Sequence, residues 1–351
     1  RWKRANVHEE YYASWFGVST DIDDNSPLIQ NALNVIPSGN VLIFGPGRYE
    51  CKQTITMPDH PIQTSYSMVK NISLKGYGTT VTRSNPPSSQ VSLVYTGPSR
   101  PTLTPLFDFR GSTRDKWYHG SIQNMAFYGG DKSNNVVGLW FYHCARSLFE
   151  NIYVERMQHG IKIDGHYYYS VFNKIGCYYC NHGFETNGIG NKAVFNYSSF
   201  SGNDIGFIGN KNGDYDHGIQ FNDCYFENNR IGIDYIIFGS LCINQCYFED
   251  NLEHDIHIHG DNLGRALLTL EKSFILHPFS ESYNSVIKQD IINNGNIFYV
   301  INNNYIRQYS SYSGYFIDVV SGGLKVEARN NFIFGTVFPI CSTTLSPSDT
   351  S

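Results

Sequence analysis

The feature that most constrains the fold is a short apolar motif that returns along the chain every 22 to 31 residues. Each copy has an apolar residue, two polar positions, a small or apolar residue and another apolar residue two places later. The copies begin at Ile122, Phe149, Phe172, Phe195, Phe221, Ile243, Leu270, Ile301 and Ala328. Within a copy the apolar residues lie at even offsets, which is the period of a β-strand. One such unit cannot bury its apolar face alone, so the units are expected to stack.

A second strand precedes most copies and often begins with glycine, as at Gly138, Gly160, Gly183, Gly206 and Gly232. Asn203, Asn229 and Asn251 follow core strands, and we interpret them as corner residues because Asn and Gly tolerate a left-handed backbone. Two or three strands per turn predict an all-β fold, a right-handed parallel β-helix with rungs about 4.8 Å apart. A propeller needs longer, more uniform repeats, and a leucine-rich repeat needs a Leu spacing that is absent.

The N-terminal part differs from the repeats and predicts one amphipathic helix. Ser26 is its expected N-cap and Pro27 its first residue. The helix would cover the open end of the stack, and Val41–Phe44 would form the first strand. We therefore predict a lead-in segment and capping helix over residues 1–40, the β-helix domain over 41–340 and a loose C-terminal tail over 341–351.

The composition argues against a nucleic-acid partner and a membrane span and favours a glycan partner. Only 16% of the residues are Asp, Glu, Lys or Arg and the net charge is −5, without a Lys/Arg block, so no nucleic-acid partner is expected. No apolar run reaches about 18 residues, so no membrane span is predicted. A surface rich in Tyr, Asn, Gly and Ser suits a neutral, hydroxyl-rich partner such as a glycan.

Several N-terminal segments differ from the repeats: Ala13–Val18, Asp23–Ser26, Ile29–Leu33, Phe44–Tyr49 and Ile72–Gly78. Together they resemble the opening of pectate-lyase-like β-helix proteins, an opening common in bacteriophage tailspikes that depolymerise capsules and O-antigens. The usual Gly-Asp-Gly is replaced by residues 19–23. The resemblance implies a homotrimer, endo-cleavage of a bacterial surface polysaccharide and a place in the virion tail, or secretion if the protein is cellular. Catalytic residues vary among such spikes, so the resemblance transfers none.

The candidate catalytic residues come from the stacking itself. Cleavage of a glycosidic bond needs two carboxyl groups, about 5 Å apart for retention and roughly 6.5–9.5 Å apart for inversion. Outward residues that follow the core strands should form one column, which places Glu227 one rung from Glu249, with Asp250 beside them. Adjacent like charges should raise one pKa, as a general acid requires. We predict Glu227, Glu249 and Asp250 as catalytic; the alternative is a solvated acidic face.

Candidate substrate-binding residues surround this column. Tyr178 and Tyr179 would form an aromatic wall, and the small Ser201 and Gly202 would leave a dip beside it. Further candidates are an overhanging insertion with Asp214, Asp216 and His217, and the pair Glu155 and Arg156, which is alternatively a surface ion pair.

Two other patterns are interpreted without a functional role. Cys224 and Cys246 should be buried thiols in one inward column, and the Cys177–Cys180 spacing lacks the second pair that a zinc site needs. His257 and His259 share one strand face and would meet a metal with Asp255 or Asp261, but we interpret them as exposed polar positions. No metal and no cofactor are therefore predicted.

These observations together predict an endo-acting glycosidase that hydrolyses capsular or O-antigen polysaccharide. One alternative is a polysaccharide lyase, in which a Tyr, His or Lys base removes a proton next to a uronate carboxylate. Another is a non-catalytic adhesin or spike that only binds the glycan.

Overall fold

A computed structural model describes residues 10–61, 67–77, 90–188, 190–209, 218–237, 239–261, 265–277, 285–292, 296–308, 314–321, 323–334 and 337–342. Internal contacts divide the chain into two units, Arg1–Asp164 and Gly165–Ser351. Each unit consists of short parallel strands, with one α-helix in the first, so the predicted class, an all-β parallel β-helix, is confirmed. None of the helices in the described residues is long and apolar enough to cross a membrane.

Among its described residues, the first unit contains thirteen strands, one α-helix and two short 3-10 helices. The strands are β1 (Glu10–Tyr12), β2 (Val41–Phe44), β3 (Gly47–Cys51), β4 (Ile55–Thr56), β5 (Ser73–Gly76), β6 (Val91–Tyr95), β7 (Thr104–Asp108), β8 (Trp117–Tyr118), β9 (Ser121–Tyr128), β10 (Val136–Phe141), β11 (His143–Ala145), β12 (Leu148–Glu155) and β13 (His159–Ile163). The helices are α1 (Ser26–Val35) and the 3-10 turns Ala13–Phe16 and Lys132–Asn134. The predicted strand at Val41–Phe44 is present, but it is not the first, because β1 precedes it and pairs with it in parallel.

Helix α1 begins one residue earlier than predicted. Asn25 occupies the N-cap position, and Asp24 Oδ1 accepts a hydrogen bond from the Ser26 backbone N–H at 3.0 Å. The Ser26 hydroxyl instead accepts the backbone N–H groups of Lys52 and Gln53, each at 3.1 Å. The prediction of Ser26 as the N-cap was therefore wrong, because its side chain hydrogen-bonds to the backbone that follows β3.

The helix also completes the edge of the neighbouring strand β4. The Gln30 side chain accepts the Thr56 N–H at 2.7 Å and donates to the Thr56 carbonyl at 2.9 Å, as another strand would. Ile29, Ala32 and Leu33 on the same helix are completely buried. The helix thus satisfies backbone groups that an open sheet edge would expose.

The second unit contains the remaining strands. They are β14 (Tyr167–Tyr168), β15 (Val171–Tyr178), β16 (His182–Thr186), β17 (Gly190–Asn191), β18 (Ala193–Asn196), β19 (Ser199–Ser201), β20 (Ile205–Gly209), β21 (Ile219–Asn222), β22 (Tyr225–Glu227), β23 (Ile231–Ile236), β24 (Ser240–Asn244), β25 (Tyr247–Glu249), β26 (His254–Asp261), β27 (Arg265–Glu271), β28 (Phe274–His277), β29 (Ser285–Ile292), β30 (Asn296–Asn302), β31 (Tyr305–Gln308), β32 (Gly314–Ser321), β33 (Gly323–Arg329), β34 (Phe332–Phe334) and β35 (Val337–Ser342).

Strand register places the predicted apolar residues of the second unit in one buried file. The file contains Phe172, Phe195, Phe221, Ile243 and Leu270. The rings of Phe172 and Phe195 stack with centroids 4.5 Å apart, and those of Phe195 and Phe221 with centroids 4.9 Å apart. In the first unit, the equally buried Phe149 pairs with Ile122. Within each unit, residues more than 20 positions apart in sequence therefore lie on adjacent rungs.

The corners of the second unit differ from the prediction by one position. Left-handed backbone occurs at Tyr179, Gly202, Asn228 and Asp250, which directly follow core strands. The next residues, Asn203, Asn229 and Asn251, are instead buried and hydrogen-bond to one another in a ladder. The interpretation of these three Asn as left-handed corner residues was wrong.

The predicted inward column of thiols is confirmed. Cys224 and Cys246 are buried and not disulfide-bonded. Their thiols lie 3.5 Å from the Phe195 carbonyl and 3.7 Å from the Phe221 carbonyl, respectively. These cysteines therefore contribute to packing inside the stack.

Candidate active site

Two strands of the second unit carry the same Tyr-Phe-Glu sequence and pair residue for residue. Tyr225 lies opposite Tyr247, Phe226 opposite Phe248 and Glu227 opposite Glu249. The two phenylalanines are fully buried, and their rings stack with centroids 5.1 Å apart. Because side chains alternate along a strand, the tyrosines and glutamates share the outer face.

The predicted column of outward residues forms in the second unit. In register it contains Tyr178, Ser201, Glu227, Glu249, Leu276 and Arg307. Glu227 and Glu249 are partly exposed and are one rung apart, a separation of about 4.8 Å between strands. Asp250 follows at the corner, where its backbone φ is 53° and its N–H donates to the Leu276 carbonyl. Adjacency of the two glutamates is thus confirmed, while a catalytic role for the three acids stays a prediction.

The phenol of Tyr247 lies within the field of all three acids. Burial, followed by the Glu249 charge and hydrogen bond and the charges of Glu227 and Asp250, raises the pKa of Tyr247 to about 12. A phenol with this pKa remains protonated at neutral pH and acts as a hydrogen-bond donor. The Tyr247 phenol and the three carboxylates therefore interact electrostatically.

An aromatic column runs beside the carboxylates on the same outer face. This aromatic stripe consists of Tyr225, Tyr247, Phe274, Tyr305 and Phe332 on successive rungs. Tyr225, Phe274 and Phe332 are strongly exposed. Ring centroids are 5.7 Å apart for Tyr225 and Tyr247, and 5.6 Å apart for Phe274 and Tyr305. The sequence interpretation missed this stripe, although the repeated Tyr-Phe-Glu was a signal for it.

The predicted aromatic wall is only partly available to a ligand. Tyr179 is 56% exposed, whereas Tyr178 is 8% exposed and its ring lies against Gly176. The Tyr179 ring covers Gly202, where a Cβ atom would lie 2.7 Å from two ring carbons. The predicted dip at Gly202 is therefore wrong, because the neighbouring tyrosine fills it.

Of the other predicted substrate-binding residues, two lie in the first unit and three lie outside the described residues. Glu155 and Arg156 belong to the first unit, where Arg156 Nε lies 3.2 Å from Glu155. The Tyr153 hydroxyl donates to the same carboxylate at 2.6 Å, an arrangement typical of a structural pair. Asp214, Asp216 and His217 lie outside the described residues.

A second polar cluster lies on strands β23, β26 and β29. Asp234 Oδ1 is 3.1 Å from His257 Nδ1 and 2.8 Å from His259 Nε2, and the two imidazole rings stack with centroids 4.7 Å apart. Burial alone would raise the pKa of Asp234, but the two imidazoles outweigh it and hold the pKa well below its usual value. Burial alone would lower the pKa of His257, but Asp234 and Asp290 raise it.

The sequence interpretation found the two histidines of this cluster but not their acidic neighbours. Asp255 is buried and accepts a hydrogen bond from the Asn251 amide at 2.8 Å, so its grouping with the histidines was wrong. The side chain of Asp261 lies outside the described residues. Register brings Asp234 opposite His257, and Asp290 opposite His259.

Comparison with known proteins identifies the fold. No protein-family model and no curated protein sequence matches the chain. Among solved structures, the A-module of Azotobacter vinelandii mannuronan C-5 epimerase AlgE4 is 12% identical, with a TM-score of 0.57 over 97% of this chain and 98% of the other. The tailspike of Acinetobacter phage vB_ApiP_P1 is 13% identical, with a TM-score of 0.54 over 93% of this chain and 59% of the other.

A third similar structure is the catalytic unit of a GH87 alpha-1,3-glucanase from Streptomyces thermodiastaticus. It is 10% identical, with a TM-score of 0.50 over 95% of this chain and 71% of the other. At these identities the likeness establishes the parallel β-helix fold that the strand register also shows.

Proposed function

We propose that the protein is an endo-acting glycoside hydrolase of the phage tailspike type that cleaves a bacterial capsular or O-antigen polysaccharide. The observation that carries this proposal is the pair Glu227 and Glu249, one rung apart, beside the exposed aromatic stripe. Aromatic faces stack on sugar rings, and two neighbouring carboxyl groups are the chemical minimum for glycoside cleavage.

In this proposal one of Glu227 and Glu249 protonates the leaving oxygen as the general acid. The other, or Asp250, activates water as a base or attacks the anomeric carbon as a nucleophile. Tyr247 holds Glu249 through its hydrogen bond. Hydrolysis then consumes one water molecule for each glycosidic bond broken.

The similar proteins support a carbohydrate substrate by what their names state: an epimerase of mannuronan, a phage tailspike and an alpha-1,3-glucanase. A place in the virion tail and a trimeric assembly belong to the same proposal and rest on the resemblance of the N-terminal segments to tailspikes.

The chemistry of Tyr247 favours hydrolysis over β-elimination at this face. A lyase needs a base strong enough to remove a proton next to a uronate carboxylate. Tyr247 interacts with all three acids, and a pKa of about 12 keeps its phenol protonated at neutral pH. This tyrosine is therefore unsuited to be a base, whereas the carboxylates beside it suit acid–base hydrolysis.

The products decide between the candidate activities. We would incubate the protein with a panel of bacterial capsules and O-antigens and measure the released oligosaccharides by mass spectrometry. Hydrolysis gives fragments that have gained one water per cleavage, whereas a lyase gives unsaturated fragments that lack it. Binding to a glycan without released fragments would identify an adhesin and overturn the proposed hydrolysis.

A second experiment tests whether Glu227 and Glu249 are the catalytic residues. Glu227→Gln and Glu249→Gln should each lower turnover at least about a hundredfold, because each removes a carboxyl group that acts as acid, base or nucleophile, while glycan binding is retained. Glu271→Gln is the matched control, since Glu271 lies on the same face opposite Asn244, in another column. Full turnover in both site variants would exclude this pair as the catalytic acids.

A further inference from the structure

The polar cluster on β23, β26 and β29 has the donors of a metal site. His257 and His259 alternate along one strand, and Asp234 lies opposite His257 on the adjacent strand. One ligand atom from each of the three residues lies within 4.8 Å of the others. A tetrahedral zinc ion with ligands at about 2.1 Å separates its ligand atoms by about 3.4 Å. Asp234 Oδ1, at 3.1 Å and 2.8 Å from two ring nitrogens, already approaches that spacing.

The Asp234 oxygen is not explained by ordinary hydrogen bonding. Oδ1 is buried and has no hydrogen-bond partner among the described residues, despite the nearness of the two imidazole nitrogens. In a hydrogen-bonded pair the N–H points at the oxygen, whereas metal ligands direct their lone pairs at a common point between them. The two Asp234–imidazole contacts have the distances of hydrogen bonds but not their geometry.

A further carboxylate sets the orientation of His257. Its Nε2 hydrogen-bonds with Asp290 Oδ2 at 3.1 Å, and Lys288 Nζ lies 3.3 Å from the same oxygen. A proton on Nε2 of the neutral ring leaves the lone pair of Nδ1 facing Asp234. A carboxylate behind a ligating histidine is the usual support of protein metal sites.

We propose that Asp234, His257 and His259 bind one divalent transition-metal ion of the zinc class, with Asp290 as the positioning residue behind His257. Two imidazole nitrogens and one carboxylate oxygen suit zinc and similar ions and leave a fourth position open. The His259 side chain is 34% exposed, so this position is accessible to water. Because the ligands come from adjacent rungs, the ion links β23 to β26.

The test uses Co²⁺, which reports tetrahedral coordination by its visible absorption, and Zn²⁺ as the competitor. The protein should bind Co²⁺ with a stoichiometry of one per chain, and Zn²⁺ should abolish the band. Asp234→Asn and His259→Gln should each weaken Co²⁺ binding about tenfold or more. Asp318→Asn is the control, because Asp318 lies in the same column on β32, beyond Lys288, and its loss also removes one negative charge.

A second measurement needs no variant. X-ray absorption of the Zn²⁺-loaded protein should show two imidazoles in the coordination shell. Absence of stoichiometric Co²⁺ binding, a coordination shell without imidazole, or equal affinity in the folded Asp234→Asn and His259→Gln variants would overturn the site. In that event the cluster is an ion pair between Asp234 and the two histidines.

Discussion

Tyr247 illustrates how one side chain acquires a role from its place in the stack. Its aromatic ring is part of the stripe, and its hydroxyl forms a hydrogen bond with the Glu249 carboxylate. The high pKa of the phenol comes from its partial burial and from the three negative charges that strand register brings near it. We therefore expect this tyrosine to support the neighbouring carboxylate rather than to react itself.

Tyr247→Phe tests that role. The variant keeps the ring but loses the hydrogen bond to Glu249, so turnover should fall about tenfold while glycan affinity changes by less than about threefold. Because the phenol remains protonated up to a pH of about 12, the alkaline limb of the pH–rate profile should be the same in both proteins. The measurement is steady-state kinetics from neutral pH to pH 10.

The matched control is Tyr197→Phe, which removes a hydroxyl from an exposed tyrosine at the corner between β18 and β19, outside the stripe. A Tyr247→Phe enzyme with the turnover of the parent would contradict the positioning role. An alkaline limb that is lost with the hydroxyl would instead identify Tyr247 as the base.

The strands and their corners differ in how much of their arrangement the sequence could predict. Apolar residues at even offsets, such as those that follow Phe195 and Phe221, fixed the strands, and the repeat spacing fixed which glutamates become neighbours. The positions of Asn203 and Asn229 were harder to predict, because Asn occurs both at left-handed corners and in buried ladders of hydrogen-bonded amides. Composition alone does not distinguish these two environments.

The acidic residues of the polar cluster on β23, β26 and β29 could not be predicted from the sequence, for a related reason. His257 and His259 are close in sequence, but Asp234 and Asp290 come from the strands on either side. The repeated apolar motif that predicts the buried file occurs on other strands, and β23, β26 and β29 do not contain it. Register between them is therefore visible only in the structure.

The buried amide ladder predicts a large effect from a small change. In Asn229→Ala, the Asn203 backbone N–H and side-chain amide lose their acceptor, and the Phe200 carbonyl loses its donor. Buried groups left without partners cost about 1–3 kcal/mol each, so the free energy of unfolding should fall by about 3 kcal/mol or more. Urea denaturation followed by circular dichroism measures this loss.

The adjacent residue supplies the control. Asn228 is exposed with a φ of 55°, a conformation that glycine adopts freely, so Asn228→Gly should change the free energy of unfolding by less than about 0.5 kcal/mol. Equal destabilisation by the two variants would show that the ladder contributes no more than the corner.

Stacking turns separate aromatic residues into one extended surface. The stripe from Tyr225 to Phe332 covers four rung steps, about 19 Å along the axis at about 4.8 Å per step. This step is similar to the length of one sugar unit in an extended glycan, so successive rings can contact successive sugars. Glu227 and Glu249 lie toward one end of the stripe, so in the proposed function the remaining sugars of a bound chain would occupy the other rungs.

This arrangement predicts a dependence on glycan length that a single local site would lack. Phe332→Ala removes the far end of the stripe, so it should weaken binding of long oligosaccharides about tenfold, the effect expected when one aromatic contact is lost. Binding of fragments that occupy only the rungs near Tyr225 and Glu227 should be unchanged. Titration calorimetry with a size-graded set of oligosaccharides measures both, and Tyr197→Ala removes an exposed aromatic outside the stripe as the control. An equal loss for short and long ligands, or the same loss in Tyr197→Ala, would mean that the glycan does not follow the stripe.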